Sequence, residues 1–238
     1  MTPESKKKIQ LALAIAIAVS AARAGYIVYQ RHEEAKQETA KAAPVALKAD
    51  YYITPRKLRA YDLKSAKQLT EQPVWTKEGY RYTYYTYDPA KKKSNFAESA
   101  GLLLPLQKLN VKDVVLDASP NFPDQKQLMA VFELDGKSFA VPIGSTKDGE
   151  FQIYSDAMLF IQDPHELYKH WPAEIWAAID NHEVKPGMNE LQTDFAIGVG
   201  MPEHGGDSSV RTLHYPNGGK PLVIVFRDGK ATQITPGG

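Results

Sequence analysis

Apolar positions are concentrated at the start of this 238-residue chain and spread in short alternating runs through the rest. From Ile9 to Ala22 almost every side chain is aliphatic, and after Arg23 the run resumes as Gly25-Tyr26-Ile27-Val28-Tyr29. Apolar residues on all sides, with no polar stripe, do not suit a half-buried soluble helix. A hydrocarbon core about 30 Å thick is crossed by roughly 20 helical residues, so residues 9–29 are expected to form a transmembrane helix in contact with the lipid bilayer. Tyr26 and Tyr29 stand where interfacial aromatics belong, and Arg23 can snorkel towards the far interface. Lys6-Lys7-Lys8 places residues 1–8 in the cytoplasm and the body outside it, as a single-pass inner-membrane protein with a periplasmic body. The triplet Ala22-Arg23-Ala24 has the small-x-small shape of a signal-peptidase site, so release of a secreted chain after Ala24 is the alternative.

Residues 30–50, rich in Ala, Glu, Lys and Gln and interrupted by Pro44, read as a linker. Between residues 51 and 162 the patterning is that of strands. Tyr80, Tyr82 and Tyr84 alternate with Arg81 and Thr83; Val111 to Leu116 and Gln127 to Leu134 are further β-branched or apolar runs. Asp135-Gly136 separates the last of these from Ser138 to Ile143, which is the strongest short-range hairpin signal. Phe151 to Tyr154 and Ala157 to Ile161 add shorter strands, and Ser65 to Thr70 a short helix. A small barrel or sandwich is the economical reading, and an SH3-like barrel fits by strand number and length.

Residues 163–238 change character. Asp163-Pro164 with Glu166 signals a helix start, and a second helix follows Pro172 with Ile175, Ala178 and Ile179 on one face. Asn189 and Gln192 form a capping pair for a helix that Gly198 ends. Three alternating runs, Val210 to Tyr215, Leu222 to Phe226 and Lys230 to Ile234, are separated by Pro216-Asn217-Gly218-Gly219 and Asp228-Gly229. The expectation is an α+β protein: an N-terminal transmembrane helix, a β-rich body and a C-terminal ααβββ module.

Basic and acidic residues number 29 and 28, so no global field draws a nucleic acid, and Lys91-Lys92-Lys93 reads as a solvated loop. The absence of cysteine excludes disulfides, a thiol nucleophile and a lipidated N-terminal cysteine. Val184-Lys185-Pro186-Gly187-Met188-Asn189-Glu190-Leu191-Gln192, then Gly200-Met201-Pro202 and the meander ending at Phe226-Arg227-Asp228-Gly229-Lys230, resembles the SmpA/OmlA (BamE-type) envelope module. That resemblance implies the ααβββ architecture that the family shares with β-lactamase-inhibitor proteins, and a protein-binding or assembly role in the bacterial envelope. The family's members are lipoproteins, and this chain lacks the cysteine they carry, so an outer-membrane location does not transfer.

No catalytic constellation stands out, and no cofactor or metal is expected. His165 and His170 lie five apart, about 140° around a helix, which does not suit a shared metal; Asp163 and His182 complete that group. Glu203-His204-Gly205-Gly206-Asp207 reads as a polar turn, and Gly136-Lys137-Ser138 lacks the preceding glycine of a phosphate loop. Gly187 and Met188, with Trp171 and Trp176, are the candidate interaction surface, although Met188 equally suits a plug between helices and the tryptophans a core. The expected function is non-enzymatic binding of an envelope protein. A periplasmic hydrolase acting on envelope material is the rival.

Overall fold

The computed structural model describes residues 21–33, 49–203 and 210–237. By internal contacts the chain separates into residues 1–48 and 49–238. In the first unit, residues 21–33 are helical, with Tyr26, Ile27, Val28 and Tyr29 exposed. Among the described residues no helix is long and apolar enough to cross a membrane. This corrects the expected transmembrane signal-anchor and the single-pass inner-membrane placement drawn from it. The described helix carries Arg23, Arg31, His32 and Glu33 and falls short of the roughly 20 apolar residues a span needs. Residues 9–20, the rest of that expected span, lie outside the described residues, as does most of the expected linker.

The expected α+β class is also corrected. The protein is mostly β-sheet, in three sheets. Its strands run to 10 and 11 residues, whereas its α-helices in the second unit have four or eight. The strands are β1 (Val74–Thr76), β2 (Thr83–Asp88), β3 (Lys93–Leu102), β4 (Lys108–Leu109), β5 (Val111–Ala118), β6 (Lys126–Leu134), β7 (Lys137–Lys147), β8 (Glu150–Ile153), β9 (Leu159–Phe160), β10 (Met201–Pro202), β11 (Val210–Tyr215), β12 (Leu222–Arg227) and β13 (Lys230–Pro236). A six-stranded sheet has the order β3-β2-β7-β6-β5, with β8 also on β7. The small sheet β4-β1-β9 and the sheet β10-β11-β12-β13 complete the set.

Three of the hairpins turn on Asp-Gly pairs. Asp135-Gly136, Asp148-Gly149 and Asp228-Gly229 all have positive φ at both positions, as a two-residue mirror-image turn requires. Period-two alternation then sorts the side chains of β6. Leu128, Ala130 and Phe132 enter a core with Val114, Val141 and Ile143, roofed by Ala66 and Leu69; Met129 and Val131 enter a smaller cluster on the other face, covered by Tyr85, Tyr87 and Phe96. Phe96 lies where the β2–β3 register slips between Tyr85 and Tyr87. Of the two expected arrangements, a small barrel or a sandwich, the barrel is not closed: among the described residues β3 and β5 are the ends of the large sheet. A side chain bridges those ends, the Ser94 N–H donating to the Asp117 carboxylate at 2.6 Å.

The helices Ala173–Asp180 and Glu190–Ile197 pack with the β10–β13 sheet around a core of Trp171, Trp176, Met188, Phe195, Tyr215, Ile224 and Phe226. This sheet has four strands, where three were expected. Asn189 caps the second helix, accepting from the Gln192 N–H, and Gln192 returns the bond to the Asn189 N–H.

Residues 53–61 have no regular secondary structure and run as a strap that serves two cores: Ile53 packs against the C-terminal one, Leu58 and Ala60 against that of the large sheet. Side chains hold the strap in place. Gln162 accepts from the Arg56 N–H, and the Asp156 carboxylate from the N–H groups of Leu58 and Arg59. Just before it, Asp50 accepts from His170 Nε2 at 2.7 Å and Trp171 Nε1 at 2.8 Å on one oxygen, and from Asn189 Nδ2 at 3.0 Å on the other. Asp50→Ala strands these donors, so the body should lose about 2 kcal/mol of stability, a fall in Tm of roughly 4–8 °C by thermal unfolding. An unchanged Tm would show that the clasp contributes nothing.

Candidate functional site

The loop between β1 and β2 carries Glu78, Gly79, Tyr80 and Arg81, and it packs against the C-terminal part of the fold. Tyr80 has φ +59°, rare for an aromatic residue, and its N–H donates to the Leu103 carbonyl at 2.7 Å. Two glycines admit this loop. A Cβ on Gly198 would lie 2.8 Å from the Gly79 carbonyl oxygen, and one on Gly218 only 2.6 Å from the Tyr80 ring; both positions have positive φ. The junction leaves an open cleft of about 260 Å³ lined by Tyr80, Arg81, Ile197, Val199, Met201 and Pro216, among others. Val199 and Met201 are 41% and 59% exposed beside it. At its rim Arg81 Nη1 meets Glu78 Oε2 at 2.6 Å. A hollow of about 290 Å³ near the β7–β8 turn is larger, but Asp124, Lys126 and Asp148 make its lining more polar.

Behind the Gly198–Met201 rim lies a buried acid. Burial pushes the Asp194 carboxyl up to about 6, aided by the negative charges of Glu190 and Glu78 and opposed by the neighbouring Tyr215 hydroxyl and Gly200 N–H. Burial also raises the Tyr215 phenol, with the Asp194 charge adding to it. Asp194 Oδ1 and the Tyr215 hydroxyl are inaccessible, and neither makes a well-aligned hydrogen bond. Tyr215 and Asp194 thus form a close pair without a good bond between them.

The residues singled out from sequence are placed elsewhere. Met188 is fully buried, in one core with Trp171 and Trp176, whose rings stand 5.2 Å apart. Gly187 is exposed, but its N–H donates to the Ala231 carbonyl and the Ala231 N–H to the Met188 carbonyl, so this segment pairs with β13. Their packing is that of the plug and the core. His165 stacks on Trp176 at 4.0 Å, with Nδ1 3.3 Å from Asp163 and Nε2 3.2 Å from Asp180. His170 bonds Asp50, and His182 Nδ1 the Ala196 carbonyl. Among the described residues no group of three His, Cys, Asp or Glu side chains could hold a metal ion. His204 to Asp207 lie outside the described residues.

The Tyr80 cleft is hidden in the sequence because the tyrosine alternation places Tyr80 in a strand, which instead begins at Thr83. Glu78-Gly79 was the one local sign of a turn there. Its partners at Gly198 and Gly218 are too distant in the chain for any periodic pattern to reveal. No protein family, curated protein or solved structure matches the chain, so the SmpA/OmlA-like reading remains a proposal.

Asp194 gives a signed pH dependence. Its folded pKa lies above the ordinary 3.8, so the native state holds the proton more tightly and stability falls as pH rises from about 4 to about 6, then levels off. Asp194→Asn should remove that slope and gain on the order of 2 kcal/mol at pH 7 with no gain at pH 4, as read from urea unfolding. Equal effects at both pH values would show that the carboxyl is not the source.

Proposed function

We propose that the chain is a non-catalytic binding protein that takes an apolar side chain of a partner polypeptide into the Tyr80 cleft. The observation that carries this reading is Tyr80 itself, held at φ +59° beside exposed Val199 and Met201. Such a conformation costs about 1–3 kcal/mol and persists only where its surroundings impose it, as at ligand clamps. A cleft of about 260 Å³ is below the common range of small-molecule pockets, roughly 300–1,000 Å³, and suits one inserted side chain.

The disposition of the polar groups supports binding over catalysis. Both ring nitrogens of His165 face carboxylates, His170 is spent on Asp50, and the Asp194 oxygen with no partner is closed off behind the rim. A general base must reach the proton it takes. The place of this binding in the bacterial envelope, and an assembly role there, rest on the SmpA/OmlA-like residues 184–230 alone.

Random peptides displayed on phage and selected on the purified protein test the reading. Selected peptides should share one large apolar residue, and Met201→Asp or Val199→Asp should weaken them at least tenfold without lowering Tm, because both side chains are exposed. Peptides indifferent to both substitutions would place binding elsewhere. Hydrolysis of cell-wall polymer by the purified protein, lost in Asp163→Asn at unchanged stability, would put the hydrolase in its place.

A further inference from the structure

The strap, residues 53–61, presents a second surface. Its backbone is drawn inward by Gln162 and Asp156, and Ile53, Leu58 and Ala60 point into the cores. What remains outside is cationic and aromatic: Arg56, Lys57 and Arg59 are exposed, and Tyr52 and Tyr61 at the two ends are 70% and 76% exposed. No large apolar side chain among the described residues is more exposed than these two tyrosines.

Three acids stand beside this face, each with its oxygens committed to neighbouring groups. Asp50 is turned onto His170, Trp171 and Asn189, Asp156 onto the strap's own N–H groups, and Asp62 onto Ser65, which it caps. Arg56, Lys57, Arg59 and Lys64 form no ion pair among the described residues. Burial lowers the Lys77 pKa; the Asp156 charge opposes that shift and the Lys57 charge adds to it, so both lie within electrostatic reach of Lys77. The exposed charged side chains of residues 56–59 are all positive, in a chain whose net charge is only +1.

We propose that the strap is a docking surface that rests on an anionic lipid surface, with Arg56, Lys57 and Arg59 on headgroup phosphates and Tyr52 and Tyr61 among the headgroups. Composition favours this partner. Tyrosine, with an apolar body and a polar tip, is enriched at membrane–water interfaces, and basic side chains near an anionic leaflet add attraction charge by charge. The strap lies on the bilayer and crosses nothing, and this contact is independent of the Tyr80 cleft.

The full chain is sedimented with vesicles of phosphatidylcholine alone or with about one third phosphatidylglycerol, at low and at raised salt. Parent protein should prefer the anionic vesicles, and salt should reduce the preference. Replacing Arg56, Lys57 and Arg59 together by Gln should reduce that preference by about two orders of magnitude at unchanged Tm. Removing the same charge at exposed Lys137, Lys220 and Lys230 should leave it within about twofold. Equal binding by parent and strap variant, equal losses in strap variant and control, or no preference of the parent for anionic vesicles would each overturn the proposal. So would strap-dependent binding of a single-stranded oligonucleotide or polyglutamate with vesicles ignored.

Discussion

A segment without secondary structure has no ladder to satisfy its backbone, so its N–H groups must find side chains or water. In residues 53–61 that constraint is met in part by Gln162, which takes the Arg56 N–H, and by Asp156, which takes those of Leu58 and Arg59, while Asp50 in the short helical turn just before anchors the start through the side chains of His170, Trp171 and Asn189. The two cores that the strap touches belong to different sheets. Asp50 Oδ1 holds the indole of Trp171, and Trp171 packs on Tyr168 and Phe195, so the clasp also positions the aromatic layer of the C-terminal core. Asp156 spends its oxygens on the strap's N–H groups, while the strap's own Arg56, Lys57 and Arg59 stay exposed.

The sheet ends show a related economy. Exposed edges invite pairing with other chains. Along β5, Asp113 and Asp117 accept from the N–H groups of the next residues, Val114 and Ala118, and Asp117 also takes the Ser94 N–H. On β10 the Glu203 N–H faces Thr212 of β11, which puts Pro202, with no N–H to offer, at the outward position. Residues 187–188 bond β13 at Ala231, and two register slips bend β3. Recognition by strand addition is therefore disfavoured at these ends, which favours side-chain contacts, in the cleft and on the strap, as the means of binding.

The cleft is built on close approach. Gly198 lets the Tyr80 loop touch backbone and Gly218 admits the Tyr80 ring, while Asp194 Oδ1 and the Tyr215 hydroxyl lie buried nearby without well-aligned bonds. Stability withheld at the Asp194 carboxyl lies beside the surface where binding is proposed, a pattern common at functional sites.

Local signals in the sequence determined local events. Asp135-Gly136 and Asp228-Gly229 make the tight turns that dipeptide favours, and Asp148-Gly149 carried the same signal. The Asn189–Gln192 box caps its helix, and Asp163 accepts from the His165 N–H. These outcomes depend on residues within a few positions of one another, where propensity and hydrogen-bond reach decide. An apolar run at the start suggested a membrane span, but hydrophobicity alone does not distinguish burial partners, and the helix at 21–33 is not apolar enough to cross. Whether Met188 plugs a core, which acids face the strap and where Tyr80 meets Gly198 and Gly218 were decided only by the tertiary structure, because each joins residues that sequence separates and packing brings within contact.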